Sequence, residues 1–282
     1  MKEGLTLNEM AAEITRQNSM KEDYLVDTRS LQMEPYDSQI YLHMFDGNTE
    51  PVEPMQVNTI AHRQFGTHLK IPAPYYDRML AEKPELLAAN VNAWLQHSPS
   101  KRLLRTMGGT ARAFLSNRYR RIDNMEIAQA VLPIIGQMEG ARFESCQITD
   151  SRMYLKVVNP RLEAEVVPGD IVQAGVIISN SETGMGAVSI QPLVYRLVCS
   201  NGMIVNDAQT RRNHVGRVND MEESFQLYSE KTLAADDKAF ILKIQDTVRA
   251  AVEEARFSQV VGMMQDAAKA EMNTKDVPGI VK

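Results

Sequence analysis

Residues 142–159 read RFESCQITDSRMYLKVVN, two runs of aromatic, branched and polar residues on either side of Asp150-Ser151. Two such runs joined by two turn formers predict a tight β-hairpin. A third run spans Ile171 to Ser179, and a longer one spans Ala187 to Ser200 after the turn Gly184-Met-Gly186. Pro192 is expected to break that strand or set it at an edge, because proline brings no N–H to a ladder. Asn201-Gly202 is a strong turn dipeptide and predicts a short returning strand over Met203 to Asn206. Strands that follow one another through short turns pair antiparallel, whereas parallel pairs need helical crossovers. The chain therefore reads as α+β: an antiparallel sheet flanked by helices, with an N-terminal helical region and a long C-terminal helix.

Working outward, Asp123-Asn-Met-Glu126 has capping-box spacing and precedes Ile127, Ala130, Val131, Ile134 and Ile135 on one helical face. Pro133 is expected to kink that helix. Gly108-Gly109 predicts a hairpin between residues 102–107 and 110–115. A second capping box, Thr6-Leu-Asn-Glu9, opens an N-terminal helix, and short strands are expected over Tyr24 to Met33 and Gln39 to Phe45. Asn58 to His68 and Tyr75 to Leu80 read as helices separated by Ile71-Pro-Ala-Pro74. Pro84 opens a third, with Leu86, Leu87, Asn90, Val91, Trp94 and Leu95 as its apolar positions. From Met221 to Lys269 the pattern is helical, using Phe225, Tyr228, Leu233, Phe240, Ile244, Val248, Val252, Phe257 and Val261. These segments divide the chain into a mostly helical region with short strands (1–100), a basic α+β core (101–221) and a C-terminal helix with its tail (222–282).

At 282 residues and 44% hydrophobic content the chain can bury a large core, and no apolar run is long enough to cross a bilayer. No export signal is read at the N-terminus, so a cytoplasmic protein is expected. Cys146 and Cys199 stand outside any CxxC or Cys/His spacing. His43, His62, His68, His97 and His214 are scattered, and neither glycine pair has phosphate-loop context. No catalytic residue, metal or cofactor is expected, and a binding protein is favoured over an enzyme.

The net charge of -5 is unevenly placed. Residues 1–60 hold four Lys/Arg against eleven Asp/Glu, and residues 222–282 hold eight against eleven, so the centre is basic. Within it, Lys101, Arg102, Arg105, Arg112, Arg118, Arg120 and Arg121 occur with no acidic residue between them, and Arg211, Arg212, His214 and Arg217 form a second basic stretch. Two readings stay open. The cations are a face balanced by the acidic ends, each arginine pairing with a carboxylate, or they converge into a groove that tracks a phosphate backbone with Tyr119 stacking on a base.

Several stretches taken together resemble a known family: DYLVDTRSL (23–31), IPAPYY (71–76), PELLAANVNAWL (84–95), RAFLSNRY (112–119) through Asp123-Asn124, and RLVCSNG (196–202). In this order, over roughly residues 20–250, the chain is similar to the phage- and plasmid-borne proteins catalogued as domain of unknown function 932. That resemblance implies a bacterial host cell and a setting of DNA metabolism, recombination or conflict with the host. The succession of helix, antiparallel strands and long helix from Asp123 to Ala270 also resembles single-strand annealing proteins, by element order alone. The resulting expectation is a homo-oligomeric protein that binds or anneals single-stranded DNA. The alternative is a protein-interaction module, such as an inhibitor of a host defence enzyme.

Overall fold

Thr6 opens the first helix as its spacing predicts: its hydroxyl accepts from the Glu9 N–H, and the Glu9 carboxylate takes the Thr6 N–H at 2.8 Å. This helix, α1, runs Leu7–Met20, longer than its short apolar motif suggests. The computed structural model describes residues 5–37, 39–45, 53–197, 202–204, 210–213, 230–251 and 253–270. Among these, no helix is long and apolar enough to cross a membrane.

Mixed α+β architecture is observed, with two mostly antiparallel sheets where one was expected. The first contains β1 (Lys21–Asp27), β2 (Leu31–Tyr36), β3 (Gln39–Met44), β4 (Met55–Val57), β5 (Lys101–Met107) and β6 (Thr110–Ser116), in the order β1-β5-β6-β4-β3-β2. Only the β4–β6 pair is parallel. The boundary expected at residue 101 therefore falls inside a sheet, because β5 and β6 insert between β1 and β4. The hairpin at Gly108 and Gly109 forms with φ of 55° and 75°, the left-handed conformation that two-residue turns demand and glycine adopts without a Cβ clash. The extended run Tyr24 to Met33 is cut by a 3-10 turn, Thr28–Ser30, where Asp27 accepts the Arg29 N–H.

Three helices cover one face of this sheet: α2 (Thr59–His68), α3 (Ala73–Glu82) and α4 (Pro84–His97). Leu31, Leu42, Phe65, Tyr76, Leu87, Val91, Leu104 and Phe114 form the core between them. The apolar positions of α4 divide: Leu87, Val91 and Leu95 are buried, while Leu86 and Trp94 are exposed, because the covering face follows the i, i+4 row.

The second sheet is β11-β10-β9-β8-β7, with β12 also on β10. Its strands are β7 (Arg142–Ile148), β8 (Met153–Glu165), β9 (Ile171–Asn180), β10 (Val188–Arg196), β11 (Gly202–Ile204) and β12 (Thr210–Arg212). Pro192 lies inside β10, between the residues paired with β12 and those paired with β11, so no described partner on that edge misses its N–H. Asn201, Cys199 and most of the stretch 205–229 lie outside the described residues, and with them Phe225 and Tyr228. Helix α5 (Asn124–Gly136) continues through Pro133, and the C-terminal helical pattern resolves into α6 (Glu230–Ala251) and α7 (Glu254–Lys269). Helices α1, α5 and α6 bury Met10, Ile14, Ile127, Val131, Phe240, Ile244 and Val248 against Leu155, Val176, Ile178 and Ile190 of the sheet. α7 adds Phe257 and Val261 to Val172 and Val194.

Inside the first core, the His62 Nδ1 and the Tyr76 hydroxyl share a hydrogen bond of 2.9 Å. Burial pushes the His62 imidazole down to about 4, with Asp77 opposing it. An unfolded histidine takes up its proton near pH 6.5, so as pH falls below that value the unfolded chain binds protons that the folded chain refuses. Stability is expected to be full above pH 6.5 and to decline by on the order of 3 kcal/mol by about pH 4 through this residue. Urea unfolding of wild type and His62→Gln at pH 7.5 and 4.5 checks this. The variant is expected to lose less stability over that interval, and equal losses would remove His62 as the cause.

Candidate functional site, a polar cleft between the two sheets

Helices cover one face of the first sheet, and its opposite face meets the second sheet through the β9–β10 loop. Asn180, the last residue of β9, and Ser181, Glu182 and Thr183 of that loop are all buried. Gly184 follows with φ of 76°, and a Cβ there would lie 2.7 Å from Leu115 Cδ2, so only glycine lets the loop seat this closely.

The register of the first sheet sets Asp23 of β1 directly opposite Arg105 of β5. The Arg105 side chain is fully buried and donates to Asp23 Oδ1 at 2.8 Å, Asp123 Oδ1 at 2.8 Å and the Glu182 carbonyl at 3.0 Å. Lys21 Nζ lies 2.9 Å from Asp123 Oδ2 and 3.0 Å from Glu182 Oε1, which also accepts the Asn124 N–H at 2.8 Å. Arg112 Nη1 donates to Glu182 Oε2 at 2.8 Å. Three cations and one carboxylate of the first sheet thus meet Asp123, at the start of α5, and Glu182, of the β9–β10 loop, in one network. Burial alone would raise the Asp123 carboxyl, but Arg105 and Lys21 outweigh it and hold the group below its ordinary value. Burial likewise works against the Arg105 charge, and Asp123 and Asp23 together push its pKa up instead. The network also corrects the capping box expected at residue 123. Asp123 makes no side-chain cap of α5, because its carboxylate is committed to Lys21 and Arg105.

Arg112 sits at a β-bulge. Arg105 pairs with Ala113 and the next residue, Thr106, pairs with Ala111, which leaves Arg112 as the extra residue of β6. An inserted residue of this kind re-aims its side chain, and here it takes Arg112 into the space between the sheets. With Nη1 on Glu182, the Nε and Nη2 atoms of Arg112 are buried and make no hydrogen bond among the described residues. Arg112 lines a cavity of about 240 Å³ together with Met107 and Thr110 of the same hairpin, Gln17 of α1, and Asn58 and Asn124 at two helix starts. The β7–β8 turn closes it with Thr149, Asp150, Ser151, Arg152 and Met153, and Glu182 completes the wall. That turn is the hairpin predicted around Asp150-Ser151. It is fixed by Thr149 N–H to the Arg152 carbonyl at 2.9 Å and by the Thr183 hydroxyl to the Asp150 carbonyl at 3.2 Å.

The arginine groove read from the sequence does not form among the described residues. Arg105 and Arg112 are interior, and Tyr119 is buried with its hydroxyl donating to the Ser181 carbonyl at 2.9 Å, so its ring offers no stacking surface. Burial raises the Tyr119 pKa. The two basic stretches do approach each other, but on a carboxylate: Arg120 pairs with Asp237 of α6, and Arg212 reaches the same Asp237 at 3.2 Å as well as Asp236. Arg212 also lies over the Phe240 ring. Arg121 lies 3.5 Å from Asp23, and Arg102 sits over the Phe114 ring at 5.3 Å, its pKa lowered by burial. Lys101, Arg118 and Arg211 are exposed. His214 and Arg217 lie outside the described residues.

As members of the site, Lys21, Asn58, Asn124, the residues of the Thr149–Arg152 turn and Glu182 are not marked by the sequence, although the turn and the helix start at Asn58 are. Their one shared signal is polarity at the ends of elements, which countless surface residues also carry. The family model described as Domain of unknown function (DUF932) matches residues 112–277. No curated protein and no solved structure matches the chain.

Proposed function

The chain belongs to the DUF932 family, whose description names no activity, and we propose that it is a binding protein that holds a small oxyanion in the cleft between its sheets, on Arg112. One observation carries this reading. The Nε and Nη2 atoms of Arg112 are buried without a hydrogen-bond partner among the described residues, while Nη1 is held by Glu182. In a guanidinium group the Nε–H and one Nη2–H point the same way, and that edge matches two oxygens of a phosphate or carboxylate. Leaving charged donors buried and unmade costs about 1–3 kcal/mol or more each, a penalty that a bound anion removes. Glu182 does not oppose such an anion strongly, because Lys21 and the Asn124 N–H already share its charge.

A polynucleotide lying across Lys101–Arg121 is supported less well, since most of those cations already have carboxylate or ring partners. Single-stranded DNA binding, annealing and homo-oligomer formation therefore enter as the comparison arm of the test. Thermal unfolding at constant ionic strength, with phosphate titrated against chloride, should raise the midpoint of the wild-type protein by mass action. Arg112→Met keeps the side chain's length without its donors and is expected to lose that rise, while Arg118→Ala keeps it. No rise for wild type, or an undiminished rise in Arg112→Met, overturns the proposal. Salt-sensitive binding of a fluorescent oligonucleotide that depends on Arg118 and Arg211, with no phosphate effect, would favour the DNA reading instead.

A further inference from the structure

We infer that the anion is the phosphate of a small polyol, a sugar phosphate, whose hydroxyls are read by the rim of the same cleft. This rests on the oxyanion reading above and adds the ligand's body to it.

The cavity's volume of about 240 Å³ is several times the roughly 30 Å³ that one water occupies in the liquid, so a phosphate group alone fills only part of it. Burial orders the lining by depth: Arg112 is 6% exposed, whereas Asp150 and Arg152 are exposed at the mouth. An anion anchored on Arg112 thus lies deep, and whatever it is attached to extends toward the β7–β8 turn.

That outer part is lined for hydroxyl groups. Ser151 brings a hydroxyl, 3.1 Å from that of Thr149, which the turn already holds on the Arg152 backbone. Asn58 brings an amide Nδ2 that donates, its Oδ1 being held by the Ala61 N–H, and Gln17 brings an Oε1 that accepts, its Nε2 being held by Glu13. The carboxylate of Asp150 only accepts. A carboxylate beside an anion site repels the anion, and its use there is to take hydrogen bonds from the neutral part of the ligand. Among the described residues no aromatic ring lines the cleft, so a base finds no stacking surface there, and the long apolar side chains in the lining are Met107 and Met153. Alternating donors and acceptors without a stacking surface suit a short chain of hydroxyl-bearing carbons.

Isothermal titration of the full chain with inorganic phosphate, ribose 5-phosphate and ribose tests this, using wild type and Asp150→Asn. Asp150 is exposed, so the variant is expected to fold normally. Ribose 5-phosphate should bind wild type at least tenfold tighter than phosphate, and ribose alone should show no heat. In Asp150→Asn the sugar phosphate should fall toward phosphate, while phosphate itself binds as well or better because a negative charge is gone. Equal affinities of phosphate and ribose 5-phosphate in wild type, or an unchanged advantage in Asp150→Asn, overturn the polyol while leaving the oxyanion site standing. Failure of every anion to bind overturns both.

Discussion

Arg105→Met is expected to lower the stability of the folded chain by about 3–5 kcal/mol, since removing one member of a buried ion network leaves its partners uncompensated. The guanidinium is fully buried and donates to Asp23, Asp123 and the Glu182 carbonyl, so its loss strands charge in β1 and at the start of α5 and leaves a buried carbonyl of the β9–β10 loop without its donor. Methionine fills much of the volume, which isolates the electrostatic loss from a packing defect. Lysine is expected to recover only a fraction, because a single ammonium cannot bridge two carboxylates in the plane that a guanidinium spans. Arg118→Ala serves as the control. That side chain is exposed, and its replacement should stay within about 0.5 kcal/mol of wild type. Denaturant melts of the three variants decide the matter. A loss below about 1 kcal/mol for Arg105→Met would mean that the network is not what joins the sheets, against the general expectation for buried pairs.

Phe114→Ala is the second large effect, with an expected loss of about 3–5 kcal/mol from the cavity it leaves. The Phe114 ring is 2% exposed and stacks on Phe65 with centroids 4.0 Å apart, while His68 meets it edge-on at 5.5 Å. Arg102 lies over the ring, so alanine would also leave that half-buried guanidinium without its aromatic partner. Both the packing and the cation–π contact disappear in one substitution. The denaturant midpoint should fall with the slope unchanged, which marks a loss of stability without a change in the unfolded state. Phe114→Leu is expected to keep most of the packing and lose the ring contacts, so it should lie between wild type and alanine. Alanine and leucine variants both as stable as wild type would show that neither cavity nor ring matters here.

How much of this was legible beforehand varies with the kind of signal. The Thr6 capping box, the Gly108-Gly109 hairpin and the Asp150-Ser151 turn are local: the residues that specify them are the residues that form them. The same holds for the helices opened by Asn58 and Pro84. Asp123 has the same capping signature as Thr6 and nevertheless leaves its cap, because Lys21 and Arg105, distant in sequence, offer its carboxylate a stronger partner than a backbone N–H. The exposure of Leu86 and Trp94 on α4 has a related reason, since periodicity fixes the spacing of apolar positions but not which stripe meets the sheet. The arginine cluster is the least legible feature. A run of cations without acids between them looks open to a polyanion only while the partners supplied by other elements are out of sight, and Asp23, Glu182 and Asp237 lie far from the run they neutralise.

From its order of residues alone this chain establishes the α+β class, the antiparallel character of its strands, its helix starts and turns, and the motifs that resemble the family to which it belongs. These depend on propensities and periodicities that act within a dozen residues. The insertion of β5 and β6 between β1 and β4, the bulge that turns Arg112 inward and the pairing of buried charge across the two sheets belong to the tertiary structure. Each is settled by contacts between segments far apart in the chain, where the low dielectric of the interior makes a charge's partner, and not its neighbours in sequence, decide what it can do.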